Sequence, residues 1–131
     1  MTQRIRAIIG MLVTVFVLGM AENLVGSPSS DSSTAHNIFS GIILALHVLT
    51  AIGIIVTATQ LAKQAKDVLP DIKRQLGRGF GAVGVAFIAG ILTLLTPSPW
   101  QEILSFVMAI GFISAIVFYG SVLIESSRKS R

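Results

Sequence analysis

Two histidines carry the most distinctive chemistry in this sequence. His47 lies near the middle of a long apolar run, and His36 lies just before that run begins. An ionisable side chain at such a depth in a membrane is rare and usually functional. On one helix the two imidazoles would project from nearly the same face, about 16 Å apart, so they cannot ligate the same iron. We therefore treat them as separate candidates.

His47 is the first candidate for a cofactor ligand or a proton-transfer group. Histidine ligates haem iron, and methionine is a common second axial ligand. Met108 lies in another apolar run at a similar predicted depth, so the pair could hold a haem b. A symmetric dimer that offers two copies of His47 is the other route. The ordinary alternative is a neutral imidazole that is hydrogen-bonded to Thr50 or Ser114, with Met108 in simple packing contact.

A second group of polar residues falls at the predicted outer ends of the apolar runs. Glu22 and Asn23 end the first run, and Glu102 opens the last. With Asp31 and His36 they could accept a proton, bind a cation or contact a lipid headgroup, or they could simply be solvated helix ends. Glu22 would lie at or just below the headgroups, where a charge is costly, so we expect it to have a partner such as His36.

The composition determines which elements position these residues. The chain has 131 residues, of which 53% are apolar and 12% charged, whereas a soluble domain usually carries about 25% charged residues. The sequence predicts an all-α membrane protein, a single domain over 1–131 built as an antiparallel four-helix bundle. The predicted spans are residues 5–25, 38–61, 79–96 and 102–124.

The cations predict the orientation. All ten lysines and arginines fall on one side of a four-span protein: Arg4, Arg6, Lys63, Lys66, Lys73, Arg74, Arg78, Arg128, Lys129 and Arg131. The positive-inside rule then places both termini in the cytoplasm, with the chain in the cytoplasmic membrane. Cleavage of the first run as a signal peptide is the alternative, although this run is long for such a segment.

The basic connection between the second and third spans is predicted to be amphipathic. Its apolar residues recur every three or four positions over 62–76, with an interruption near Pro70. Such a segment would lie on the cytoplasmic face with its cations near anionic headgroups. A docking site for a membrane-complex partner is the alternative.

Small residues predict where the helices meet. Helices in lipid associate through small side chains that allow close approach. The second span has Gly41 and Ala45, and the fourth has Gly111 and Ala115. The third span carries a longer stripe of small residues, which could pack within the bundle or form a homodimer face: Gly77, Gly81, Ala82, Ala86 and Gly90.

Several kinds of function are excluded or disfavoured. The chain has no cysteine, which removes disulfides, thiolate metal sites and cysteine nucleophiles. It lacks the phosphate-loop, nucleophile-elbow, HExxH and dinucleotide motifs, so the sequence indicates no catalytic residue and no metal site. Its low charge also disfavours nucleic-acid binding.

One stretch resembles a known family. VLGMAENLVGSPSSD followed by HNIFSGIILALHVLTAIGIIV, within residues 15–60, is similar to a half of haem A synthase-type membrane proteins. The resemblance implies a four-helix bundle in which His36 matches a haem-ligating histidine at the outer start of the second helix, with His47 as an extra. The family also has histidines at its fourth helix, and residues 96–124 contain none.

Three functional hypotheses follow. The first is a small non-enzymatic membrane protein, an accessory or scaffolding subunit surrounded by the lipid bilayer. The second is a b-type haem protein that transfers electrons through His47 or His36. The third is a small oligomeric channel or transporter with Glu22 or His47 in its path.

Overall fold

The computed structural model describes residues 1–26, 30–65, 69–96 and 99–128, and every element in them is helical. The helices are α1 (Thr2–Val25), α2 (Thr34–Gln64), α3 (Pro70–Leu95) and α4 (Trp100–Arg128). Each of the four is long and apolar enough to cross a membrane. The prediction of an all-helical protein with four such segments is therefore confirmed.

The helices extend beyond the predicted spans because hydropathy marks only their apolar parts. α2 begins at Thr34, where the Ser33 Oγ accepts a hydrogen bond from the His36 backbone N–H at 3.3 Å. α3 begins at Pro70, whose fixed φ suits the first turn and which has no N–H to leave unpaired. α1 ends at Val25 and is followed by Gly26, which adopts a φ of 82° that favours glycine.

The predicted amphipathic segment 62–76 is not a separate element. Its beginning belongs to α2, which ends at Gln64, and its end belongs to the first turns of α3. Residues 66–68 lie outside the described part of the chain. Ala65, Ile72 and Leu76 are buried in the protein core, so the periodic apolar residues at these positions pack against the other helices. An apolar stripe has the same spacing whether it faces lipid or protein.

Each helix has two neighbours, in the order α1, α2, α3, α4 and back to α1. The α3–α4 pair is packed most extensively and the α2–α3 pair least. Within the described ranges, α1 does not contact α3, and α2 does not contact α4. The four helices therefore enclose a common interior.

Small residues bring α3 and α4 together. A Cβ at Gly111 would lie 2.9 Å from the Ala86 Cβ and 3.0 Å from the Ala82 carbonyl oxygen. A Cβ at Gly90 would lie 3.3 Å from the Met108 Sδ. The small-residue stripe of α3 is thus divided, because Ala82, Ala86 and Gly90 face α4. The remaining two members, Gly77 and Gly81, are exposed, and a Cβ at either would meet nothing within 4 Å in the described residues.

The continuous apolar core occupies one end of the bundle. α1 contributes a face spaced by three and four residues, and the other helices contribute matching faces. Its largest members are Ile5, Ile8, Leu12, Ile54, Leu61, Phe112 and Tyr119. The other half of the interior is formed by the later turns of α1 and α3 and the earlier turns of α2 and α4, and the candidate site lies there.

The outer surface of the bundle is strongly apolar. Large exposed hydrophobic side chains occur on all four helices, including Val17, Leu49, Ile88 and Phe106. Soluble monomers rarely expose contiguous apolar surface on this scale. The surface is therefore consistent with a small multi-pass membrane protein.

Candidate functional site

All four helices line a cavity of about 330 Å³ in the loosely packed half of the bundle. Its wall is mainly apolar and includes the rings of Phe87 and Phe112. The wall also contains a few polar or sulfur-bearing side chains: Glu22, Asn23, His47, Thr93, Ser105 and Met108. An apolar pocket with a few convergent polar groups is the usual form of a small-molecule site.

The polar end of the cavity is formed by α1 and α2. His47 Nδ1 lies 3.9 Å from Glu22 Oε2, and both side chains are largely removed from solvent, with exposed fractions of 15% and 23%. This distance is too long for a hydrogen bond. The buried Nδ1 atom has no hydrogen-bond partner among the described residues. The pair therefore leaves hydrogen-bonding capacity beside the cavity.

The hydrogen bond to Thr50 or Ser114 that is expected of an ordinary buried histidine is not made by His47 Nδ1 among the described residues. The Thr50 hydroxyl donates instead to the Leu46 carbonyl oxygen at 2.7 Å, within its own helix. The partner expected for Glu22 also differs, because the Glu22 carboxylate approaches His47 and not His36. His36 lies on α2 about 16 Å from His47, which is about three helical turns. Glu22 therefore cannot contact both imidazoles.

Gly19 makes room for the His47 imidazole. A Cβ at residue 19 would lie 3.1 Å from the His47 Cε1 and 3.5 Å from its Nδ1. The ring therefore rests against the backbone of α1, one turn before Glu22. This close approach is what allows a side chain from α2 to reach the carboxylate across the helix interface.

The cavity is partly open, and the exposed apolar part of its wall lies on α2 and α3. Three residues line the cavity and are also exposed at the molecular surface: Ile52 on α2, and Ile91 and Leu94 on α3. α2 and α3 are also the least closely packed neighbours in the ring. This exposed edge forms a lateral opening between two apolar helices, and the exposed Asn23 on α1 also borders the cavity.

His47 and Met108 share a second, smaller cavity of about 80 Å³ on the α1–α4 side. Both side chains line the larger cavity as well. They therefore stand between the two spaces, and the structure brings together the two residues that the sequence singled out as a pair of haem ligands.

No protein-family model, curated protein or solved structure matches this chain. The geometry of this cavity is therefore the basis for assigning a function.

Two predicted site residues lie elsewhere. His36 is in the first turn of α2, and Glu102 is an exposed residue in the first turn of α4. A carboxylate at a helix N-terminus interacts favourably with the helix dipole, which is sufficient to explain Glu102. Neither residue lines the cavity, so the predicted outer cluster divides, with Glu22 and Asn23 at the cavity and Glu102 outside it.

Sequence reasoning did not identify several cavity residues. Phe87, Thr93, Ser105 and Phe112 belong to ordinary apolar or mixed helical patterns. The sequence feature that indicates the cavity is the small size of four residues that line it: Gly19, Ala51, Ala86 and Gly90. That signal becomes readable only when the register between the helices is known.

Proposed function

We propose that this chain is a small multi-pass protein of a bacterial-type cytoplasmic membrane that binds a lipophilic ligand in its cavity. In this proposal it is a non-enzymatic accessory protein. The observation that carries the proposal is the partly open cavity of about 330 Å³ with one carboxylate–imidazole pair at its polar end. Ligand pockets in proteins usually measure about 300–1,000 Å³ and combine apolar walls with a few polar groups.

The lateral opening determines the route by which a ligand would enter. A lipophile dissolved in the bilayer could enter between α2 and α3 without crossing water. The wall at this opening is apolar, with Ile52, Ile91 and Leu94 exposed. These side chains suit the hydrocarbon part of a ligand, while Glu22 and His47 suit its polar part.

The proposal includes an antiparallel bundle with both termini in the cytoplasm. Two contacts support opposite directions for α1 and α2, because Gly19 approaches His47 while Gly53 approaches Met11. For α3 and α4 the corresponding contacts are Gly90 with Met108 and Gly79 with Tyr119. The segregation of the ten lysines and arginines supports the cytoplasmic placement of both termini.

A cavity-filling variant tests ligand binding. Ala51 lines the cavity, whereas Ala45 lies on the same helix, is exposed and does not line it. We expect Ala51→Phe to lose a lipophile that co-purifies with the wild type and with Ala45→Phe, as measured by solvent extraction and mass spectrometry. Wild-type protein with no retained lipophile, or equal retention by Ala51→Phe, would overturn the proposal.

Haem binding is the second candidate, because His47 and Met108 line the same cavity. These residues supply one nitrogen and one sulfur donor of the kind that ligate haem iron. A bound haem would supply one-electron redox chemistry at this position. We expect a haem protein to show a Soret band and a reduced α-band that are lost in His47→Ala and kept in His36→Ala. Colourless wild-type protein from haem-replete cells would eliminate this candidate.

A further inference from the structure

The unpaired hydrogen-bonding groups at the cavity end define the head group that the cavity would accept. This inference rests on the proposed binding function and makes it more specific. We propose that the ligand carries a hydroxylated aromatic ring, as in a hydroquinone, with an apolar tail that leaves the bundle between α2 and α3.

The hydroxyl follows from the spacing of two atoms. Glu22 Oε2 and His47 Nδ1 are 3.9 Å apart, so one oxygen lies within hydrogen-bond distance of both once the imidazole turns its buried Nδ1 toward the cavity. An ionised carboxylate only accepts hydrogen bonds, and an imidazole nitrogen that carries its proton donates one. A hydroxyl group satisfies both, because it donates to the carboxylate and accepts from the imidazole. A carbonyl or an ether oxygen can satisfy only the imidazole.

The buried nitrogen makes this spacing informative. His47 Nδ1 is inaccessible to solvent and lacks a hydrogen-bond partner among the described residues. A buried polar atom without a partner costs free energy, so native structures usually supply one. A bound group would remove that cost once the imidazole turns so that Nδ1 faces the cavity. A cation would satisfy Glu22 but would leave the imidazole donor unused.

The ring follows from the volume and the walls. An apolar cavity of about 150 Å³ holds benzene, so a cavity of about 330 Å³ accommodates a substituted or fused ring. Phe87, Phe112 and Met108 are in its wall. Aromatic rings and thioether sulfur make favourable contacts with a bound aromatic ring.

The tail follows from the lateral opening. The exposed lining residues Ile52, Ile91 and Leu94 form an apolar edge between α2 and α3. An alkyl or isoprenoid chain could leave across this edge into the surrounding lipid. The ring would then occupy the cavity while the tail remained in hydrocarbon.

The test compares two probes that share a ring and a decyl tail, of which only one can donate a hydrogen bond. These are decylhydroquinone, kept reduced under anaerobic conditions, and its dimethyl ether. We expect the wild-type protein in lipid nanodiscs to bind the hydroquinone about tenfold more tightly than the ether, because the ether cannot donate to a charged acceptor. Equal affinities would overturn the inference.

Two variants test whether Glu22 is the source of the preference for the hydroquinone over its ether. We expect Glu22→Gln to reduce the preference to about twofold, because a neutral acceptor forms a weaker hydrogen bond. Glu102→Gln is the matched control, since Glu102 is exposed and lies outside the cavity, and it should keep the wild-type preference. A folded Glu22→Gln protein with an unchanged preference would contradict the assignment, and the wild-type comparison stands even if this variant does not fold.

The two proposals can fail separately. If neither probe binds but a lipophile sensitive to Ala51→Phe still co-purifies, the hydroxylated-ring inference is wrong and the cavity remains a ligand site. If neither probe binds and no lipophile co-purifies, both the inference and the proposed function are wrong.

Discussion

At the residue scale, the structure concentrates its unusual chemistry in one contact between two helices. His47 on α2 reaches Glu22 on α1, and Gly19 provides the space for the ring. Both ionisable side chains lie beside an apolar cavity, in a chain where ionisable residues are otherwise placed mainly toward the ends of the helices. Their positions make this contact the natural target for mutation.

Gly19→Ala tests whether the His47 imidazole packs against the backbone of α1. The added Cβ would lie 3.1 Å from the His47 Cε1, so the ring must shift by a few tenths of an ångström. We expect a loss of about 1 kcal/mol in the free energy of unfolding, the lower range for an overpacked site. Titration with sodium dodecyl sulfate measures this loss through the helical circular dichroism signal.

Gly10→Ala is the matched control on the same helix. A Cβ at residue 10 meets nothing within 4 Å in the described residues, and alanine has a higher helix propensity than glycine. This control should be neutral or slightly stabilising. A Gly19→Ala protein as stable as Gly10→Ala would show that the imidazole does not rest against α1.

The importance of His47 and Glu22 can be predicted from the sequence, but their contact cannot. Each residue stands out because a titratable group lies within or beside an apolar run. Their contact depends on the register between α1 and α2, which the Gly19–His47 and Gly53–Met11 approaches define. Hydropathy contains no information about this register, so the sequence suggested His36 as the partner of Glu22.

At the element scale, the α3–α4 interface is the best-packed part of the bundle. Gly111 lies against Ala86 and the backbone of Ala82, which allows the two helices to approach closely. Close approach strengthens van der Waals contact, the main source of helix association in lipid. The small-residue pattern predicted that α3 uses small side chains for packing, but only the Ala82, Ala86 and Gly90 part of the stripe faces α4.

Gly111→Ala tests this interface. The added Cβ would lie 2.9 Å from the Ala86 Cβ, and 3.0 Å from a backbone oxygen that cannot rotate away. The helices must therefore separate, and we expect a loss of about 1–3 kcal/mol in the free energy of unfolding. Gly120→Ala on the same helix is the control, because its Cβ meets nothing within 4 Å in the described residues. Equal stability of the two variants would contradict the packing described for α3 and α4.

The helix boundaries show another limit of sequence reasoning. Apolar runs correctly predicted four membrane-length helices, but α2 and α3 begin earlier than their apolar parts. Their starts depend on Ser33 as a cap and on Pro70 in the first turn. Both residues lie outside the apolar runs, so a search for such runs does not include them.

At the scale of the whole molecule, the bundle has one tightly packed end and one end that contains a cavity. Large buried side chains such as Ile8, Leu61 and Tyr119 fill the first. Small residues such as Gly19, Ala51 and Gly90 line the second. This division allows one half of the protein to stabilise the fold while the other half has space for the proposed ligand.

Cysteine labelling tests the proposed orientation. The chain has no native cysteine, so single variants report one position each. Asp31 and Lys73 are both exposed, and they lie on opposite sides of the membrane in the proposed topology. We expect a membrane-impermeant maleimide to label Asp31→Cys in intact spheroplasts, and to label Lys73→Cys only after permeabilisation. The reverse pattern would contradict the proposed placement of both termini in the cytoplasm.

The central claim is that the cavity holds a lipophile, and native mass spectrometry of the wild-type protein released from nanodiscs tests it most directly. We predict a species whose mass exceeds that of the bare 13.9 kDa chain by one bound small molecule. This species should persist in Ala45→Phe and disappear in Ala51→Phe, because residue 51 lines the cavity and residue 45 does not. Detection of the bare chain alone, or of the same adduct in Ala51→Phe, would contradict the account.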